Sequence, residues 1–384
     1  MAELTASLPK DVALCDQPLM SKGMLTIKDD KSETLPVDLL MVLDVSTSMD
    51  GEGIRVLTDS VVHTIKNLLR ADDRMAIITF NHAAAVHTPW TSKTGTVAGF
   101  SSSGSTNFGA AINQVLTFLG ASGRDHSRAG VILFLSDGQA GMPNSDNVRT
   151  IPEFGFTMHT IGVTSGVVPE NLEQMAELAN GTYHNAPTFG DVEAAFDSIF
   201  NLGETVIYSA PSLRIDVVEG VTISKIEQSP KALDIHSSDI VGPASESLTL
   251  PHMNQDKRLE LTFMIRHDKI ACGDNLLATF NCIGASTELR VRGSRDESEV
   301  ANAPVNKGVM FVTKVNMATG FLKAGNIDAA TTIKTQIETL DVPDSEDAST
   351  IIGTAIDAGT TGEILDLVGK IERTNEGKTV LRED

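Results

Sequence analysis

The sequence predicts an α/β domain with a doubly wound, mostly parallel, Rossmann-like sheet, followed by a β-sandwich and a small C-terminal helical region. Three observations predict it. Between Val37 and Gly203, short apolar runs alternate with longer stretches of helical period, the pattern of a parallel sheet covered on both faces. After Gly203 the apolar residues alternate with period two between breaks of Pro, Gly, Asn and Ser. From Val305 the helical period returns.

The N-terminal segment Leu4–Ile27 is strand-like, and residues 1–33 are expected to join the later β region, making the α/β domain of residues 34–203 an insertion. Asp38–Asp44 is continuously apolar between its two acids and reads as a central strand buried on both faces. Ile54, Leu57, Val61, Ile65 and Leu68 share one face of a helix of about four turns. Met75–Phe80 is the next buried strand, with Ala84–Thr88 as a short partner. Phe108–Leu119 is helical, and Val131–Ser136 and Phe156–Val163 are strands. Pro169–Asn180 is a helix with Pro in its first turn, and Gly181 ends it before the strand Thr182–Asn185. Val192, Phe196, Ile199 and Phe200 mark a last helix over Asp191–Leu202. Residues 204–300 carry strands at Val206–Ser209, Leu213–Val217, Val221–Ile226, Leu277–Ile283 and Glu288–Arg292, with the clearest alternation at Leu259, Leu261, Phe263 and Ile265. In residues 301–384, Val309, Val312, Val315, Met317 and Phe321 form one helix and Ile327, Ile333, Ile337 and Leu340 another. Asp341–Asp347 reads as an acidic connector and Glu363–Arg373 as a final amphipathic helix.

Composition narrows the function. Of 384 residues, 41% are hydrophobic and 21% charged, which excludes wholesale disorder and suits two or three domains. Thirty Lys+Arg against 51 Asp+Glu give a net charge of -21, repelled by nucleic-acid phosphates and anionic lipid headgroups. No run approaches the roughly 20 apolar residues of a membrane span, and Met1–Lys10 has no signal-peptide pattern, so a soluble cytoplasmic protein is expected. Cys15, Cys272 and Cys282 are too few for a disulfide framework, and buried free thiols in a reducing compartment are the expectation. No C-x2-C or HExxH zinc pattern occurs, and the nine histidines are scattered.

The chemistry gathers at three loops. The first strand ends in Asp44-Val45-Ser46-Thr47-Ser48, at the carboxyl edge where open α/β sheets bind ligands. Gly104-Ser105-Thr106-Asn107 opens a helix and Ser136-Asp137-Gly138 closes a strand, both at that same edge. Hydroxyls and carboxylates without imidazole or thiolate suit a hard cation, with Mg2+ the natural choice and Mn2+ or Ca2+ alternatives. Hydroxyl ligands, with the carboxylates held behind water, leave such an ion electrophilic towards a carboxylate of a partner.

These loops resemble those of the von Willebrand factor A domains and integrin inserted domains, whose metal-ion-dependent adhesion site (MIDAS) is D-x-S-x-S, a Thr and an Asp on successive loops. The resemblance implies that Asp44, Ser46, Ser48, Thr106 and Asp137 are the metal site, and Ala179-Asn180-Gly181-Thr182-Tyr183 looks like the segment before that family's last helix. It also implies a protein-interaction module, not an enzyme, that binds an Asp or Glu of a partner through the ion. Met49, Asp50, Glu52, Phe108, Gln139 and Met142 are the expected partner-binding rim. The β region and helical tail resemble those of A-domain proteins that carry ubiquitin-ligase or intein-like modules elsewhere, so the alternative is an assembly adaptor of an ATPase or ubiquitin-ligase machine with a structural metal.

Other readings are weaker. No GK[ST] follows Gly104–Gly109, so a phosphate loop is unsupported. Ser46 stands where an aspartyl phosphotransferase has its second acid. A metal-dependent hydrolase would need a base, for which only His82 and His87 are at hand. Asn180-Gly181-Thr182 is a glycosylation acceptor only in a secretory compartment.

Overall fold

Three strands open the chain in the computed structural model: β1 (Glu3–Ser7), β2 (Val12–Leu14) and β3 (Leu19–Lys28). The structure describes all residues except 94, 124, 138–139, 164–167, 359–360, 374–378 and 382–384.

The α/β part runs β4 (Val37–Asp44), α1 (Glu52–His63), β5 (Arg74–Phe80), β6 (Ala84–Ser92), α2 (Phe108–Ser122), β7 (Ala129–Ser136) and α3 (Ser145–Arg149). It closes with β8 (Phe156–Val163), α4 (Pro169–Leu178), β9 (Tyr183–Ala186) and α5 (Val192–Glu204). The sheet order is β6-β5-β4-β7-β8-β9, parallel except for β6. Every residue of β4 is buried, because its alternate side chains enter two cores. Val37, Leu39, Met41 and Leu43 meet Leu57 and Val61 of α1 and Phe196 and Phe200 of α5. Leu40 and Val42 meet Ile112 and Val115 of α2 and Leu172 and Met175 of α4. At about 1.5–3 kcal/mol per buried aliphatic side chain, these two layers fix the strand in place.

The next strands are β10 (Val206–Tyr208), β11 (Ser212–Val217), β12 (Val221–Ser229), β13 (Leu233–His236) and β14 (Ile240–Val241). After them come β15 (Ala244–Thr249), β16 (Met253–Asn254), β17 (Leu259–His267), β18 (Gly273–Cys282) and β19 (Ala285–Ser294). One sheet has the order β1-β3-β17-β12-β13, with β14 also on β12, and the second β15-β11-β18-β19-β2. One hydrophobic cluster draws on both, with the Phe263 and Phe280 rings 5.5 Å apart. Leu35 N–H donates to Val206 O at 2.8 Å, so the chain enters and leaves the α/β part side by side.

The chain ends in α6 (Glu297–Asn302), α7 (Lys307–Lys323), α8 (Ile327–Glu338), α9 (Ser345–Ile356), α10 (Thr361–Lys370) and the hairpin β20 (Ile371–Arg373)–β21 (Thr379–Leu381). Helices α7 to α10 share a core. Among the contacts that join them to the α/β part, Leu365 of α10 enters the core that holds Tyr183, and Asp366 accepts the Asn185 N–H at 3.2 Å.

Three expectations change. The connector Asp341–Asp347 is short, because Ser345 already starts α9 and Asp344 takes the Thr379 N–H at 2.7 Å. The last helix stops at Lys370, where Ile371 turns into a hairpin strand. Of the three cysteines only Cys282 is a buried free thiol; Cys15 and Cys272 form a disulfide. The segment after β2 runs beside the loop after β17, with Asp16 N–H on Ile270 O at 2.8 Å and Ile270 N–H on Gln17 O at 3.0 Å, which brings the two sulfurs together. This pairing removes the cysteine argument for a reducing compartment. None of the described helices is long and apolar enough to cross a membrane.

Candidate metal centre

The two ends of β4 treat their carboxylates differently. At its start, Asp38 is neutralised by Arg74, at 2.7 and 2.8 Å, and by Arg128. At its end, Asp44 is fully buried and its partners are hydroxyls and one amide. Ser46 N–H donates to Asp44 Oδ1 at 2.8 Å and Ser136 Oγ to Asp44 Oδ2 at 2.6 Å, and the Thr106 side chain stands near enough to favour the charged carboxylate. Ser48 Oγ donates to Asp137 Oδ1 at 2.8 Å and lies 3.0 Å from Ser46 Oγ. All five residues of the D-x-S-x-S, Thr and Asp pattern therefore meet at one place.

The backbone explains how. β4 and β7 are neighbours, but the chain leaves β4 towards β5 on one side and reaches β7 on the other, so their loops part at the switch point of the sheet. Thr47 donates to Gly104 O through both N–H and Oγ1 at 3.0 Å, and Ser103 N–H donates to Val45 O at 2.9 Å, tying the first loop to the second. Gly104 has φ 74°, and a Cβ there would lie 2.4 Å from His82 Nδ1, so this contact requires glycine. Asn107 accepts the Ala110 N–H at 3.1 Å and caps α2, which fixes Thr106 one residue before.

Burial pushes the Asp44 carboxyl above the usual carboxylate range, and the bonds from Ser136 and Ser46, with Thr106 nearby, oppose it. Burial likewise pushes Asp137 up; the Asp44 charge adds to this and the Ser48 bond opposes it. Two adjacent buried carboxylates ringed by hydroxyls form a site short of positive charge, and the all-oxygen donors fit a hard divalent cation.

The rim is smaller than expected. Met49 and Phe108 are 1% and 2% exposed and belong to the cores on the two faces of the sheet, so they support the loops from beneath and offer a partner no surface. Asp50 is exposed and accepts a bond from Ser102 Oγ at 2.8 Å; Glu52 is exposed in the first turn of α1. Met142 is half-buried against the α2-side core, and Gln139 lies outside the described residues. Sequence reasoning missed Ser136 as a site residue; its signal is its place directly before Asp137, at the buried end of β7.

A parallel sheet with helices on both faces and an oxygen-lined site at its switch point is the architecture of the von Willebrand factor type A domain, and residues 38–198 match that family's model. The fold likeness extends well past this domain. A von Willebrand factor type A protein from Catenulispora acidiphila superposes with a TM-score of 0.72 at 17% identity, covering 99% of this chain and 97% of that one. The ArnB paralog VWA2 from Sulfolobus acidocaldarius does so with a TM-score of 0.65 at 13% identity over 96% of each chain. An uncharacterized protein of Synechocystis sp. is 23% identical over 390 residues, 92% of this chain and 90% of that protein.

Proposed function

We propose that Asp44, Ser46, Ser48, Thr106 and Asp137 hold Mg2+, and that the domain binds a partner protein through an Asp or Glu side chain that completes the ion's coordination. The bound ion supplies a Lewis-acidic position for a carboxylate oxygen. The reading rests on the contrast along β4: the same strand carries one carboxylate neutralised by arginines and one, Asp44, beside Asp137 with only hydrogen-bond donors around it.

The chain's own residues set the specificity. Ser46 and Ser48 present hydroxyl oxygens, Ser136 orients Asp44 from behind, and the Thr47–Gly104 bonds hold the first two loops in register. Asp50 and Glu52 stand exposed beside the loops and favour a partner whose acid is flanked by basic residues. In this reading the module is not an enzyme. The β region, entered at both ends of the α/β part, is the frame through which binding is felt by the rest of the chain.

The test is calorimetric titration of Mg2+ into EDTA-stripped protein, wild type beside Asp137→Ala. Saturable binding lost in the variant supports the reading and licenses partner capture with Mg2+ in the wash and EDTA in the elution. Equal heats in the two proteins, or none in either, overturn it.

A further inference from the structure

The disulfide Cys15–Cys272 stands where the two legs of the β region meet. Cys15 follows β2, before the α/β part, and Cys272 precedes β18, after it, 257 residues further on. The bond therefore closes the β region around the whole inserted part. The loops that carry the two cysteines are also held by their backbones. Cys15 N–H donates to Ser294 O at 2.9 Å, Asp16 N–H to Ile270 O at 2.8 Å and Ile270 N–H to Gln17 O at 3.0 Å. Ile270 itself is fully buried in the core of the β region. None of these contacts needs the S–S bond, so after reduction the two thiols stay side by side.

A third donor stands with them. The two sulfurs and an oxygen of Asp16 lie within 4.8 Å of one another, and among the described residues no other three His, Cys, Asp or Glu side chains gather so closely. Cys15 is buried, while Asp16 and Cys272 are exposed, so the group opens to solvent on one side. Lys269 Nζ lies 3.0 Å from Asp16 Oδ1, and a pair this exposed is weak enough to give way to a divalent ion. Thiolate sulfur selects borderline and soft ions, Zn2+ above all, over the hard Mg2+ that suits the oxygens around Asp44. Two thiolates, a carboxylate and a water make the tetrahedral arrangement of zinc with three protein ligands.

We propose that Cys15, Asp16 and Cys272 form a redox-gated Zn2+ site, closed as a disulfide when oxidised and as a metal cross-link when reduced. A small dithiol opens it: the Cys15–Cys272 bond breaks and takes two electrons, and the dithiol becomes a disulfide in its turn. Zn2+ then displaces the two thiol protons and binds the thiolates. An oxidised dithiol reverses both steps, accepting two electrons from the thiolates and two protons from solvent while the S–S bond closes and Zn2+ leaves. The two legs of the β region stay joined in either state, by sulfur or by metal, so the frame around the α/β part survives a change of redox conditions.

The experiment reduces the full chain with a phosphine, removes the reductant under argon and titrates Co2+, whose bonds to thiolate absorb in the near ultraviolet while an all-oxygen site gives no such band. A saturable band, bleached by Zn2+, is expected from the reduced wild type and from neither the oxidised protein nor reduced Cys272→Ser. Asp16→Asn should weaken binding by about tenfold or more, no less than the loss of a group behind a ligand does. Cys282→Ala, which removes a thiol buried elsewhere, should bind as wild type. Reduction should lower the melting temperature, and Zn2+ should restore most of the loss in wild type but not in Cys272→Ser. An undisturbed circular dichroism spectrum certifies each variant as folded. No band in the reduced wild type, a band in the oxidised protein, a band kept by Cys272→Ser, or Asp16→Asn binding as tightly as wild type overturns the proposal.

Discussion

At the residue scale, the candidate site was legible because its chemistry is carried by residue types at fixed loop positions. Asp44, Ser46, Ser48, Thr106 and Asp137 follow strand ends, and strand ends are readable from apolar runs. The rim was not, because adjacency to a motif does not say which way a side chain points: Met49 turns under the first loop and Phe108 opens α2 facing inward. Ser136 was hidden for the opposite reason, reading as the last residue of a strand when its hydroxyl holds Asp44 at 2.6 Å. Ser136→Ala should therefore weaken Mg2+ binding by about 10–100-fold, the range for a group that orients a metal's carboxylate, with the fold intact; calorimetry beside circular dichroism measures it. The raised Asp137 pKa carries a second expectation. A carboxyl raised by burial binds its proton more tightly folded than unfolded, so stability falls as the pH rises from its unfolded value of 3.8, and the cost is complete above its folded pKa. Asp137→Asn should consequently raise the melting temperature in EDTA at pH 7 and abolish the stabilisation by Mg2+. A variant that melts below wild type in EDTA would contradict this account of the charge.

At the element scale, strands and helices buried on one clear face were legible and junction elements were not. β4 announces itself through five apolar residues in a row, Leu39–Leu43, and α1, α2 and α5 through their apolar stripes. α9 escaped because four of the twelve residues of Ser345–Ile356 are Ser or Thr, and its apolar residues find a core against α7, α8 and α10. β20 escaped because its strand character lies in pairing with β21, which no local pattern encodes. The tie between α7 and α4 was equally invisible: Lys323 sits between Glu173, at 3.0 Å, and Glu177, all three largely buried. Burial, with Glu177's charge adding to it, pushes Glu173 up to about 7 against the pull of Lys323. Lys323→Met would leave two acids facing each other without their cation. A loss of roughly 2–4 kcal/mol in urea unfolding at pH 8 is expected, smaller at pH 6 where Glu173 takes up a proton. An equal loss at both pH values would mean that the helix packing, and not the charge, carries the effect.

At the scale of the whole molecule, the parts are held together by groups whose partners lie far away in sequence, and His252 is the sharpest case. It leads into β16, accepts the Ala210 N–H on Nδ1 at 2.9 Å and donates from Nε2 to Gly130 O at 2.7 Å, at the start of β7. An amide only donates and a carbonyl only accepts, so the ring is fixed as the neutral tautomer with its proton on Nε2. Burial lowers its pKa from 6.5 to about 4, the Gly130 bond opposing. The sign follows from proton counting. Between these two values the unfolded chain binds a proton that the folded chain refuses, so stability rises with pH across that window. The full contribution is present above 6.5 and is lost as the pH falls towards 4. A shift of this size corresponds to about 3–4 kcal/mol. Unfolding free energies at pH 7 and pH 4.5, for wild type and His252→Gln, test this junction directly. The wild type should lose more stability than the variant between the two pH values. A glutamine keeps one donor and one acceptor without titrating, so equal losses would show that the acid sensitivity resides elsewhere and that His252 is protonated in the folded chain as readily as in the unfolded one.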